Sequence, residues 1–416
     1  MEKNRFITWF IFVIFFVISF LTNILGPIIP ALIDSFDLPM ALAGFMPFSF
    51  FVAYGVMSMP AGILLERYKE KKMLLISFAV AFCGALAFGC FPNFLVGIGS
   101  LFIIGCGMAM LQVVINPLLR TAGGEADFAF NSVVAQLFFG AASFVSPQVY
   151  SYLVKHMFRG ETHKAFWIGW LEQVVPADKS WGALYWLFAV ISMAMFLLIL
   201  VIKMPRVQLN EDERVEIGKP LAKALRNKTV WLYFLGIFAY VGTEQGFANW
   251  MSVFLKEYHH MDPETTGASV VAYFWGLLTV GCLLGLLLLK LMDSQKVLIL
   301  FTIGAFLSLV LALWAGGAVS MYSFAGSGFF LSVMYSVIFS LGLNSVSRHH
   351  GTVSGILCTA ILGGAVWPLL IGGLGSIWGL KMAMVLCLSV SMAYIGSIGF
   401  WAKPLISNRT IQEAQN

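Results

Sequence analysis

The chain of 416 residues is 60% apolar and 11% charged, with a mean hydropathy of +0.88. A soluble domain carries about 25% charged residues, so this composition excludes a water-soluble globular fold. The net charge of +5 is spread over the loops between apolar runs and is no footprint of nucleic-acid binding.

The N-terminal residues carry Lys3 and Arg5 and lead into an apolar run too long for a signal peptide, with no A-x-A-like cleavage site. This predicts a retained first helix. Hydropathy and loop breaks predict six spans at about 7–33, 41–65, 73–91, 95–119, 128–154 and 181–203. Six more follow at about 229–255, 267–289, 297–316, 321–344, 352–377 and 381–402. The expected fold is an all-α polytopic membrane protein, with twelve transmembrane helices in two pseudo-symmetric six-helix bundles. Residues 1–203 form the N-terminal bundle, 204–227 a charged cytoplasmic linker, and 228–416 the C-terminal bundle with a short tail. Six spans, a linker and six spans is the pattern of a two-halved transporter. With the N-terminus inside, the predicted cytoplasmic segments hold all but six of the 25 Lys and Arg. The exceptions are Lys155, Arg159, Lys164, Lys179, Lys256 and Lys381. That asymmetry predicts cytoplasmic N- and C-termini.

Taken in order, span one offers Asn23. The loop after span two reads Gly62 to Lys72, with Glu66 and Arg67 side by side. An acid–base cluster at helix ends can latch two halves in one state; an ordinary positive-inside loop is the alternative. Span four offers Gln112 and Asn116, an i,i+4 pair on one face, and span five adds Asn131, Gln136 and Gln148. Span seven carries Tyr240 to Trp250, with Glu244, Gln245, Asn249 and Trp250. Glu244 is the only acidic residue within a predicted span, and a charge at mid-bilayer faces a bundle interior or a water-filled cavity. A polar helix–helix contact is the alternative for each amide; gathered around one carboxyl, they point to a site. Spans eight to eleven add Tyr273, Trp275, Tyr335, Asn344 and Trp367. Amides donate and accept, which suits a hydroxyl-rich solute, and Trp and Tyr supply flat apolar faces for a sugar ring. No Lys or Arg falls mid-span, so an anionic substrate would lack a counter-charge.

The six Cys fall within predicted spans without metal-ligand spacing and read as small buried apolar residues. All six His lie outside the spans, so no metal or haem centre is expected. No extramembrane stretch exceeds about 30 residues and the spans hold no nucleophile–base pair, so an enzyme is not expected.

Several stretches resemble the fucose–galactose–glucose:cation symporter family of the major facilitator superfamily. Asn23 to Pro30 is similar to that family's Asn-x-x-Asp-x-x-x-Pro, and Pro60-Ala-Gly-Ile-Leu64 to its Pro-Ala-Gly-x-Leu. Gln112-Val-Val-Ile-Asn-Pro117 and Tyr240-Val-Gly-Thr-Glu244 resemble the Gln-Val-Ala-Ala-Asn-Pro and Tyr-Val-Gly-x-Glu of its glucose/galactose members. Ser336 to Gly342 and Gly363-Gly-Ala-Val-Trp-Pro368 resemble its spans ten and eleven, and Gly62 to Lys72 resembles the superfamily's Gly-x-x-x-Asp-Arg-x-Gly-Arg-Lys loop. The resemblance implies sugar contacts at Asn23, Gln112, Asn116, Gln136, Glu244 and Tyr335. It further implies a monomer in the bacterial inner membrane with no cofactor. The family's first-helix acid is replaced by Gly26, and its fourth-helix glutamate by Gln112. Glu244 therefore becomes the coupling candidate, for H⁺ or Na⁺. The expected function is import of a neutral mono- or small oligosaccharide by alternating access. An uncoupled facilitator, or an exporter of a neutral metabolite or drug with a more apolar cavity, is the alternative.

Overall fold

A computed structural model of the chain describes residues 5–124, 128–158, 166–204, 223–346 and 350–403. Eleven helices among the described residues are long and apolar enough to cross a membrane. In the first half these are α1 (Arg5–Phe36), α2 (Met40–Leu65), α3 (Arg67–Cys90), α4 (Phe94–Gly123), α5 (Phe130–His156) and α6 (Ala177–Val201). After α7 come α8 (Pro263–Leu291), α9 (Ser294–Trp314), α10 (Gly317–Asn344), α11 (Thr352–Trp378) and α12 (Leu380–Trp401). The twelfth span is α7 (Lys228–His259), whose 32 residues reach about 48 Å at the α-helical rise. Its polar middle keeps it out of the apolar set. Burial explains how it is tolerated, because nearly every residue from Ala239 to Leu255 is enclosed by protein and not by lipid.

Two apolar cores hold the molecule. One gathers Phe15, Phe50, Phe88, Tyr150 and Tyr185 from α1 to α6; the other gathers Tyr233, Phe247, Trp250, Phe274 and Phe324 from the second half. Each borrows small or slim residues across the divide: Ala268 and Ala365 join the first, Ile29 and Ala43 the second. Most of the linker expected at 204–227 lies outside the described residues. Large apolar side chains such as Val201, Leu287 and Phe400 face outward, as a lipid-solvated exterior requires. Cys83 and Cys90 share that exterior, Cys282 and Cys358 line an internal cavity, and only Cys387 is fully buried. The reading of the cysteines as buried is thus corrected: an apolar side chain in a membrane protein is as stable against lipid as against a core.

Proline shapes α1. Its helix stops at Thr22 and restarts at Leu25. Pro27 has no N–H for the Asn23 carbonyl, and in an unbroken helix its ring would clash with that carbonyl, so the break falls four residues before it. Beyond the break, Gly26 lies against the Ala248 carbonyl of α7 so closely that any Cβ would collide with it. Glycine is required for that approach. The position where the family resemblance places an acid is here filled by the backbone of α7.

Candidate functional site

The halves enclose a cavity of about 840 Å³, within the range of roughly 300–1,000 Å³ usual for small-molecule sites. Its wall runs from the middle of the helices to one end only. It takes Thr22 and Asn23 from α1, Tyr54 to Leu65 from α2, Gln112 to Pro117 from α4 and Ser132 to Ser143 from α5. The second half gives Tyr240, Glu244 and Gln245 from α7, Trp275, Thr279 and Cys282 from α8, Tyr335 and Phe339 from α10, and Ser354 and Cys358 from α11. The mouth therefore lies at the end where Arg5 begins α1.

The opposite end is sealed by contacts between the halves. Lys256 Nζ, near the end of α7, pairs with Asp34 on α1 at 2.5 Å. Ala41 N on α2 donates to Ser376 Oγ on α11 at 3.0 Å, and Gly44 on α2 packs against the backbone of Pro368 and Leu369.

The residue types in Tyr240 to Trp250 each have a reason. Tyr240 Oη donates to Glu244 Oε2 at 2.5 Å, and Gln245 Nε2 donates to Glu244 Oε1 at 3.2 Å. Gly242 makes room for the edge of the Trp367 indole, and Gly246 for Leu388 and Ile371. Asn249 Nδ2 donates to Gln245 Oε1 at 3.1 Å and to the Gln245 carbonyl at 2.8 Å. Trp250 Nε1 donates to the Pro368 carbonyl at 3.0 Å and seals α7 to α11. Glu244 and Gln245 thus reach the cavity, while Asn249 and Trp250 are buried outside its wall. The expectation that both touch a solute is corrected on geometry: at 100° per residue, positions five and six beyond Glu244 turn well away from it.

On the first-half wall, Asn23 Nδ2 donates to Ser143 Oγ at 2.8 Å and to Ser19 Oγ at 3.4 Å, tying α1 to α5. Its side-chain carbonyl is not used in those bonds. Gln112, Asn116 and Gln136 face the cavity with no hydrogen-bond partner among the described residues, and Gln112 Oε1 is shielded from solvent as well. Tyr335 lies beside Tyr240, with ring centroids 5.9 Å apart. Trp275 lines the wall with its indole N–H unpartnered. Asn131, Gln148, Tyr273, Asn344 and Trp367 do not line it; Tyr273 and Asn344 sit on the outer surface and at a helix end, and Trp367 is seated on Gly242. Sequence reasoning missed Tyr54, Cys282, Ser354 and Cys358, since a lone serine, cysteine or tyrosine in a span gives no signal of its facing. Among the lining residues Glu244 alone is of an acidic or basic type. The wall can therefore hold a neutral polyhydroxyl solute by donor–acceptor amides and aromatic faces, beside one carboxylate.

Between α2 and α3 stands Glu66, whose side chain lies outside the described residues, and Arg67 to Lys69 open α3. Arg67 is exposed, with its guanidinium 5.6 Å from the Tyr68 ring. The chain turns at Lys69, with φ 65° and ψ 168°, a region that suits glycine and costs other residues about 1–3 kcal/mol. That backbone explains why the loop motif resembled above has glycine at this place.

The sequence profile of the Major Facilitator Superfamily matches residues 11–368. A glucose/galactose transporter of Brucella abortus biovar 1 (strain 9-941) is 30% identical over 93% of this chain and 91% of its own. An L-fucose-proton symporter of Escherichia coli (strain K12) is 23% identical over 85% of this chain and 83% of its own. Among solved structures, the crystal structure of an E. coli fucose:proton symporter superposes with a TM-score of 0.67 at 20% identity, covering 97% of this chain and 100% of that one.

Proposed function

The chain belongs to the major facilitator superfamily, and on that premise we propose that it imports a neutral sugar across the bacterial inner membrane, coupled to protons. The observation that carries this reading is a lone carboxyl, Glu244, on the wall of an amide-lined cavity between the two halves. Sugar as the substrate class is supported by the relatives, whose names are glucose/galactose transporter and L-fucose-proton symporter. A cavity without a cationic side chain is matched to a neutral solute. Of the two coupling ions expected, the proton is favoured by the fucose relative's name. Glu244 is the one lining carboxyl that could exchange it. Members of this superfamily are transporters and not enzymes.

Sugar would enter between the halves and bond to Gln112, Asn116 and Gln136, the free carbonyl of Asn23, and Gln245 and Tyr335 opposite. The sealed end, closed by Asp34–Lys256 and by the contact of Gly26 with α7, is the periplasmic one by the positive-inside count. The cavity then stands open to the cytoplasm, beside cytoplasmic chain termini. Alternating access requires the two bundles, 1–203 and 228–416, to rock so that this seal opens as the cytoplasmic mouth closes. A monomer is the working unit, as the family resemblance implies.

Proteoliposomes loaded against an imposed proton gradient test the reading with D-glucose and D-galactose. Wild-type protein is expected to accumulate one of them, and Glu244→Gln to abolish accumulation while counterflow stays measurable. Undiminished accumulation in Glu244→Gln would remove Glu244 from coupling. Wild-type counterflow indifferent to the gradient would make the protein a facilitator.

A further inference from the structure

When Glu244 is ionised both of its oxygens accept a hydrogen bond, from Tyr240 and from Gln245, because a carboxylate has only lone pairs to offer. Its two donors are not equally adaptable. Gln245 is held in one orientation because its side-chain oxygen and its backbone carbonyl both accept from Asn249. Its NH₂ is thereby aimed at Glu244 Oε1. The Tyr240 hydroxyl turns about a single C–O bond and can accept as readily as it donates. Tyr240 also lines the cavity, beside Tyr335.

A proton arriving on Glu244 makes one carboxyl oxygen a donor. Oε1 remains engaged by the fixed Gln245 amide, so the new O–H belongs on Oε2, where Tyr240 Oη is already within hydrogen-bond distance. The bond between them must then reverse: Glu244 donates, Tyr240 accepts, and the phenolic hydrogen turns away from α7. We propose that Tyr240 is the positioning residue that reports the proton to the sugar, handing the cavity one O–H donor when Glu244 is protonated and withdrawing it when Glu244 is ionised. Only the Glu244 O–H bond forms and breaks, and the proton enters and leaves through the water-filled cavity. The proposal rests on the coupling role of Glu244 given above.

The groups able to titrate around this pair are few. They are Tyr240 itself on α7, Cys282 on α8, Tyr335 on α10, Cys358 on α11 and Tyr54 on α2. None is a carboxyl or a base, so none stands in for Glu244. The linkage has one sign: sugar binds more tightly to the protonated state, so the sugar dissociation constant rises with pH. One hydrogen bond of ordinary strength sets the size of that rise at up to about tenfold.

Dissociation constants for D-glucose and D-galactose, measured across neutral pH on purified protein, test it with Tyr240→Phe, Glu244→Gln and the double variant. Wild type is expected to weaken as pH rises. Tyr240→Phe lacks the donor and should bind weakly at every pH. Glu244→Gln should bind tightly at every pH, because its NH₂ donates to Tyr240 as the protonated acid does. The double variant should match Tyr240→Phe alone. A pH-independent wild type, a Tyr240→Phe that keeps the wild-type pH dependence, or single losses that add in the double variant would each overturn the relay. Counterflow by Tyr240→Phe confirms a folded protein; if that variant is lost on purification, weak binding by Glu244→Gln overturns the relay unaided. Accumulation retained by Glu244→Gln refutes the coupling role itself, and the relay falls with it. Loss of accumulation there, with an unaltered pH profile in Tyr240→Phe, refutes only the relay. Failure of both sugars to bind wild type removes the substrate reading on which both stand.

Discussion

Gln112 and Asn116 on α4 face the cavity without hydrogen-bond partners among the described residues, whereas Gln245 and Asn249 on α7, at the same i,i+4 spacing, are bonded to each other. The residue types and the spacing match, so neither explains the difference. Surroundings do. Asn249 is 1% exposed, and an amide left unpaired in such a site costs about 1–3 kcal/mol. The α4 amides stand on the cavity wall, where, apart from the shielded Gln112 Oε1, water or a solute hydroxyl can satisfy them. The first half therefore presents unused donors and acceptors, and the second presents a closed network around a carboxylate. On this comparison the first wall selects the solute, and the second answers to the proton.

Breaking the open wall should have the largest effect on binding. Removing both α4 amides (Gln112→Ala with Asn116→Ala) forfeits about 2–3 kcal/mol of sugar binding, a loss of roughly 30- to 150-fold in affinity. Thermal stability should barely change, because those groups bond to nothing in the protein. Isothermal titration against D-glucose and D-galactose checks the first point, and the melting temperature without sugar checks the second. A large fall in stability with affinity intact would reverse the assignment of the walls.

Asn249→Ala is the converse. It unties the Gln245 side chain and leaves a buried acceptor unpaired, which should reduce stability by about 1–2 kcal/mol. Sugar affinity at a pH where Glu244 is protonated should stay within about threefold of wild type, since Asn249 never reaches the cavity. Denaturation in detergent and sugar titration measure the two quantities separately. An affinity loss as large as that of the α4 pair would place Asn249 back among the contacts.

The twelve spans were legible because bilayer-length apolar runs are hard to mistake, and α7 was legible despite its polar middle because its flanks are apolar. The facing of α7 was not drawn from the sequence, although helical arithmetic contains it. Stepping back four residues from Glu244 turns the helix by only about 40°, and stepping forward five turns it by about 140°. Tyr240 shares the carboxyl's face and Asn249 does not. The seat of Trp367 on Gly242 and the press of Gly26 on α7 could not be read, because a glycine shows that space is needed without naming its occupant. The seal was invisible for a related reason: Asp34 and Lys256 are separated by 222 positions and look like ordinary loop charges.

The smallest expected effect concerns where the two halves meet. Lys256 lies about 18 Å beyond Glu244 along α7, and its pair with Asp34 crosses from one half to the other at the sealed end. The side chains are 37% and 61% exposed, so the pair is worth no more than about 1 kcal/mol. Asp34→Asn should shift the balance toward the outward-open state by no more than about fivefold, and raised salt should produce part of the same shift in wild type. Lys256→Gln should match it, the double variant should go no further, and exchanging the two charges should restore the original balance. Distances between spin labels at the outer ends of α1 and α7 report these populations. A null result in all of them would leave the seal to the Ala41–Ser376 hydrogen bond and to the packing of Gly26 against Ala248 and of Gly44 against α11.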